Sequence, residues 1–228
     1  MFQLALDTSA SLPSVAVLKD NIVVSEWLGD QASHHSASLL QGIDTCLQNA
    51  KIQQSDLNFL SVGVGPGMFT GLRVGIATAK FFAAVLKIPV ASVSSLSALA
   101  LGAKAYAKPG QLLWALHDAR SQRVYARSVV FEKLSAEFLI NMDDAEEVAL
   151  TPEEAAKKIK VGDLLIGEGA KLFLSHWPEG AQFVPDAANI LLAKFVGEIG
   201  HNLFEKNKLI TAAKLEPRYL KTGQTHLP

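Results

Sequence analysis

Gly65-Pro66-Gly67-Met68-Phe69-Thr70-Gly71-Leu72-Arg73-Val74-Gly75 follows the apolar run Leu60 to Val64 and leads into an apolar stretch with small residues at every fourth position. Gly65 and Gly67 admit backbone angles closed to other residues, so a glycine-proline turn separates a strand from a helix over 70–87. Thr70 stands where the helix N-cap is expected. Such a joint aims backbone N–H groups at whatever lies before the helix, which makes Gly67 and Thr70 a candidate anion-binding loop. The row Gly71, Gly75, Ala79 and Ala83 follows the four-residue spacing of one helix face and suits close approach by another element. That element is either a partner's helix or the chain's own sheet and first helix. Phe81, Phe82 and Leu86 leave the helix apolar on more than one side.

Outward from this joint the pattern is regular. Residues 2–7, 15–18 and 22–28 read as a three-stranded meander with a tight turn at Lys19-Asp20-Asn21. A helix over 33–50 carries Leu39, Leu40, Ile43 and Leu47 on one stripe. A strand at 60–64, the 70–87 helix, a strand at 89–93 and a helix to about residue 105 complete the order β-β-β-α-β-α-β-α. Lys108-Pro109-Gly110 marks a boundary. Strands at 112–116 and 123–131, with a third expected at 137–141, repeat the meander. Leu4-Ala5-Leu6-Asp7 and Ala115-Leu116-His117-Asp118 each close a first strand with an aspartate. Thr151-Pro152-Glu153-Glu154 is a helix start. A short strand precedes Gly167-Glu168-Gly169, and a last helix spans about 188–207. Two meander-plus-helix units imply two similar α/β lobes with a cleft between them, residues 1–107 and 108–228. The last helix is left free to pack back on the first lobe.

Composition narrows the chemistry. The chain has 228 residues, 49% of them hydrophobic and only 19% charged, with 21 basic and 22 acidic side chains. A stand-alone nucleic-acid binder carries a basic footprint that is missing here. Arg120, Arg123 and Arg127 cluster in sequence and read either as a local patch or as the solvated face of a strand. Cys46, the single cysteine, reads as a core thiol and excludes an internal disulfide. None of the six histidines has a helical i, i+4 partner, so no metal site is expected. No Gly-x-Ser-x-Gly elbow is present. Asp7-Thr8-Ser9 and Asp118-Ala119-Arg120 lack the glycine a phosphate loop needs. Asp7 and Asp118 are read either as strand-end aspartates bonding turn amides or, with Thr8, Ser9, Gly167 and Gly169, as a vestigial nucleotide site. The N-terminus lacks a basic signal region, and Lys80 and Lys87 interrupt the longest apolar runs. A cytoplasmic protein with no membrane span is expected.

The motifs Leu4-Ala-Leu-Asp-Thr-Ser, His35-Ser36 with Leu39-Leu40, the 65–75 segment, Val93-Ser-Ser-Leu-Ser-Ala-Leu-Ala, Asp118-Ala-Arg with Val124-Tyr125, and Pro217-Arg-Tyr-Leu-Lys resemble the TsaB (YeaZ) family over nearly the whole chain. Met68, Ala37 and Gln41 depart from that family's usual serine, acid and proline. The resemblance implies the two-lobed fold of the actin-like ATPase superfamily with degenerate nucleotide loops. It also implies a non-catalytic role in making N6-threonylcarbamoyladenosine beside the anticodon of tRNA. The implied partners are TsaD, which carries the metal and the transfer reaction, the ATPase TsaE, and TsaC as supplier of the activated group. tRNA is met through the complex, and self-pairing is expected when the chain is alone. The implied pairing helices match 35–50 and 70–86, with His35, Leu39, Ile43, Leu47, Gly71, Arg73, Gly75, Ala79, Phe82 and Ala83 as interface candidates. No cofactor is required by this chain, with ATP or ADP left open at the lobe cleft or the partner interface. The competing readings are an ATP-dependent kinase of the same superfamily and a peptidase.

Overall fold

The computed structural model describes residues 1–30, 35–131 and 147–220. Its first sheet runs β1 (Phe2–Asp7), β2 (Ser14–Lys19), β3 (Ile22–Leu28), β4 (Leu57–Gly63) and β5 (Val90–Val93), in spatial order β3-β2-β1-β4-β5. The first three strands are antiparallel neighbours, and β4 and β5 are added in parallel. The parallel strands need crossovers, which α1 (His35–Ala50) and α2 (Phe69–Leu86) supply. After α3 (Ser95–Gly102), the second sheet runs β6 (Gln111–Asp118), β7 (Val124–Phe131), β8 (Val148–Leu150), β9 (Leu164–Ile166) and β10 (Gln182–Phe183). Its order, β8-β7-β6-β9-β10, repeats that of the first sheet strand for strand. This duplicated topology is the two-lobed actin-like architecture.

The first sheet is covered on both faces, which is why its strands read as continuous apolar runs. Side chains alternate with period two. Leu4, Leu6, Val15, Val17, Leu60 and Val62 pack with Leu39, Ile43 and Ile76 from α1 and α2. On the opposite face lies α6 (Ala193–Glu205), where Ala5, Ala16 and Leu18 meet Ala193 and Phe59 stacks on Phe204 at 5.0 Å. The last helix therefore belongs to the first lobe in space. The Gln3 side chain fixes it by donating to the Gly197 carbonyl. In the second sheet, one face packs on the short helices α4 (Pro152–Ala156) and α5 (Glu168–Leu172), and the other packs on α3.

Several expectations need correction. Among the described residues, the strand that pairs with the outer edge of β7 is Val148–Leu150. The expected 137–141 strand lies outside the described residues. The last helix starts at Ala193, with Asp186–Ala188 forming a separate short turn of 3-10 helix. Arg127 is not on a solvated strand face, because its side chain is 2% exposed and paired with Glu147. By length and composition α2 is long and apolar enough to cross a bilayer, contrary to the expectation from sequence. One side of it is buried in the first lobe. Thr70 is not the N-cap: Met68 holds that position, without a side-chain bond, and Thr70 is an exposed first-turn residue.

Candidate functional site

Two features of the 65–75 joint bear on function: the region where it meets the lobe cleft, and the outward side of α2. At the cleft, Asp7 ends β1 and is buried. Its Oδ1 accepts the Ser9 backbone N–H at 2.7 Å and the Ser9 hydroxyl at 2.6 Å, while Oδ2 accepts the Ser95 hydroxyl at 2.7 Å. Thr8 turns the other way and donates to the Gly71 carbonyl at 2.7 Å. The second lobe closes over this turn. His117 Nε2 lies 3.5 Å from Ser9 Oγ, and both the backbone N–H and the hydroxyl of Ser11 donate to Glu168. Arg120 reaches Met68 Sδ, and the Asp118 carboxylate is taken by the Arg120 backbone and guanidinium.

The vestigial-nucleotide candidates thus meet at one interlobe junction, but their polar atoms serve the fold. Both Asp7 oxygens are engaged, and Asp118 bonds its own turn. Gly167, at φ +111°, sits so close to β6 that a Cβ would lie 2.1 Å from the Leu116 carbonyl oxygen. A cavity of about 260 Å³ remains beside the junction, lined by Ala10, Leu99, His117, Glu168, Lys171 and Asn189 among others. Lys171 is paired with Asp186 at 2.6 Å. A carboxylate at the cleft, Glu168, opposes a polyphosphate there by like charge. The anion-loop reading of Gly67 and Thr70 fares no better. The Met68 N–H at the helix head donates to the Ser9 carbonyl at 2.7 Å, and a Cβ on Gly67 would meet that oxygen at 2.5 Å.

Burial pushes the Asp7 carboxyl above the ordinary carboxylate range, against the pull of its bonds from Ser9 and Ser95 and of nearby His117. A carboxyl raised by folding contributes stability while protonated, below its unfolded pKa. That contribution is lost as pH rises towards the folded value. Relative to Asp7→Asn, the wild type is therefore expected to lose stability as pH climbs from about 4. Urea unfolding of both proteins across a pH series measures the difference, and a pH-independent difference would contradict a buried ionisable Asp7.

The docking candidates divide by side of the helix. Gly71, Gly75, Ala79 and Ala83 face inward and are buried. A Cβ on Gly71 would lie 2.0 Å from the Thr8 carbonyl oxygen, and one on Gly75 would lie 2.2 Å from Thr8 Oγ1. The small-residue row therefore lets the helix approach its own β1 turn and is not a free docking face. Leu39, Ile43, Leu47 and Phe82 are likewise core residues. The His35 side chain lies outside the described residues. Arg73 alone among the candidates with a described side chain is exposed.

The outward side is a second four-residue row, Phe69, Arg73, Ala77, Phe81 and Val85, offset by two positions and so about 200° around the helix. Phe69, Phe81 and Val85 are 54%, 65% and 61% exposed, and Leu40 on the neighbouring α1 is 52% exposed. Large apolar side chains gathered on one helix face make this row the candidate docking side of α2.

Comparison with known proteins agrees with the architecture. Residues 29–172 match the family described as TsaD, tRNA N6-adenosine threonylcarbamoyltransferase. The tRNA threonylcarbamoyladenosine biosynthesis protein TsaB of Haemophilus influenzae is 30% identical over 232 residues, covering 97% of this chain and 94% of that protein. This chain belongs to the TsaB family. The TsaB protein of Buchnera aphidicola is 34% identical over 175 residues, covering 74% of this chain and 79% of its own length. A solved structure described as an uncharacterized protein with similarity to the peptidase YeaZ from Pseudomonas aeruginosa superposes with a TM-score of 0.80 at 25% identity, over 96% of this chain and 99% of that one. YeaZ from Pseudomonas aeruginosa itself gives 0.79 at 24% identity and shares the fold.

Sequence reading did not assign several residues to this junction. His117 and Glu168 become site residues because the two lobes close on each other, and Ser95 because α3 begins beside the end of β1. Phe69 and Tyr219 look like ordinary core aromatics in one dimension.

Proposed function

We propose that this chain is the non-catalytic subunit that pairs with TsaD, and with TsaE, for N6-threonylcarbamoyl modification of the adenosine beside the anticodon in tRNA. The complex works in the cytoplasm, where TsaD transfers an activated group supplied by TsaC. The observation that carries this reading is the outward row of α2, an apolar helix face on which Phe81 and Val85 are 65% and 61% exposed among the described residues. Covering that face stabilises the partner's active arrangement, and the chain itself needs no reacting group. A kinase reading lacks such support, because Asp7 is buried with both oxygens bonded internally and Glu168 stands at the cleft. A nucleotide in this system belongs at the partner interface rather than at Asp7.

Reconstituted modification of tRNA by TsaD, TsaE and TsaC, with and without this chain, tests the reading. Modification is expected to need the chain. Phe81→Asp is expected to weaken pairing with TsaD by about 100-fold, since it buries a carboxylate in an apolar contact, with little change in melting temperature because Phe81 is exposed in the free chain. Equal modification with the chain omitted would sink the proposal.

A further inference from the structure

The C-terminal arm runs from the first lobe's core to the head of α2. Leu215 is fully buried in that core. Two residues after Glu216, the Arg218 N–H donates to the Val64 carbonyl at 2.8 Å, and its Nε lies 3.1 Å from Glu147 Oε2. These anchors place Tyr219 on Phe69, with ring centroids 5.5 Å apart. Arg73 completes the cluster: its guanidinium carbon lies 3.9 Å from the Phe69 ring centroid, and its Nε donates to the Tyr219 hydroxyl at 3.3 Å.

This arrangement fixes a cation without neutralising it. Arg73 is exposed, and among the described residues no carboxylate pairs with it. Glu147 is shared by Arg127 and Arg218, so one carboxylate faces two guanidinium groups. Stacking on Phe69 and the bond to Tyr219 hold the Arg73 plane, leaving its two terminal nitrogens for a planar acceptor. Tyr219, 49% exposed, and Phe69 continue the apolar row of α2 rather than cover it.

We propose that Phe69, Arg73, Arg218 and Tyr219 form a cationic end of the docking face, met by a partner segment that carries carboxylates beside its apolar stripe. The proposal rests on the pairing reading above and adds what the partner must present. A second copy of this chain fits the site poorly: α2 contains no Asp or Glu, and α1 contains only Asp44. Continuity with the apolar row favours a protein over a nucleic acid. The arm, anchored to both lobes, also makes this end of the face depend on how the lobes are set.

Titration calorimetry of the full chain with its own organism's TsaD tests the inference. Arg73→Glu is expected to weaken pairing by about tenfold, and the loss should shrink as salt rises. Arg73→Lys should restore only part of the affinity, because an ammonium cannot stack and fork at once. Tyr219→Phe, which keeps the ring and removes the hydroxyl, should fall between wild type and Arg73→Glu. Wild-type affinity in Arg73→Glu, with an unchanged melting temperature, overturns the inference and leaves the pairing reading standing. So does a variant that pairs normally but binds a tRNA transcript more weakly, which would assign the cations to RNA. Failure of the wild type itself to pair removes both readings.

Discussion

Glu147→Gln is expected to destabilise the chain by about 3–5 kcal/mol, a fall of roughly 12 °C in melting temperature. The replacement keeps the shape and the bond from the Ser94 hydroxyl but removes the charge facing Arg127. Arg127 Nη1 lies 2.9 Å from Glu147 Oε1, and the two side chains are 2% and 0% exposed. A guanidinium that cannot be reached by water and has lost its carboxylate carries its desolvation cost without compensation. Arg218 loses less, because it is 41% exposed and can rehydrate. The double variant Arg127→Met/Glu147→Met removes both charges and is expected to recover most of the loss. Urea unfolding of the singles and the double gives the coupling between the two sites. Equal losses in Glu147→Gln and the double would show that packing, not charge, holds this junction. Because Glu147 binds Ser94 at the head of α3, Arg127 in β7 and Arg218 in the arm, its loss should also loosen the arm from the second lobe.

Gly71→Ala is expected to cost about 2–3 kcal/mol, after the roughly 1 kcal/mol that alanine adds as a better helix former. The new methyl would lie 2.0 Å from the Thr8 carbonyl oxygen, a backbone atom that can move only if the β1 turn moves. The turn carries Ser9, whose contacts with Asp7 and His117 would shift with it. A fall in melting temperature of about 8 °C is expected, measured by calorimetry. Thr70→Ala one position earlier is the control. Thr70 is exposed and caps nothing, so a change within about 0.5 kcal/mol is expected, where a true N-cap would cost about 1. An unperturbed Gly71→Ala that instead lost pairing with TsaD would return the small-residue row to the surface.

The glycine row shows where sequence reading stops. Four-residue spacing identifies a helix face from one dimension, and it correctly separated a small row from its surroundings. It does not say which way the face points. Gly71 and Gly75 need a neighbour at very short range, and a partner's helix and the chain's own turn satisfy that need equally well on paper. The first lobe supplied the neighbour, because Thr8, the residue that follows β1, lies directly under the helix. The outward face then fell to the opposite row, whose Phe69, Phe81 and Val85 pass for core residues by type. Arg127 illustrates the same limit in reverse. Alternation along β7 predicts its side but not what covers that side, and the covering carboxylate is twenty positions away.

Period-two runs, the glycine-proline joint and the two aspartate-closed strands were sufficient to establish two meander-plus-helix lobes, because strand and helix periodicity are local properties of the chain. The strand at Val148–Leu150 and the two-residue β10 escaped that reading, being too short to show a period. The family motifs likewise lay in the sequence. Tertiary structure alone decided which polar groups close the cleft, which row of α2 faces outward, and that the arm returns to the head of that helix. Those are contacts between residues from about 50 to about 160 positions apart, and no local rule of spacing encodes them.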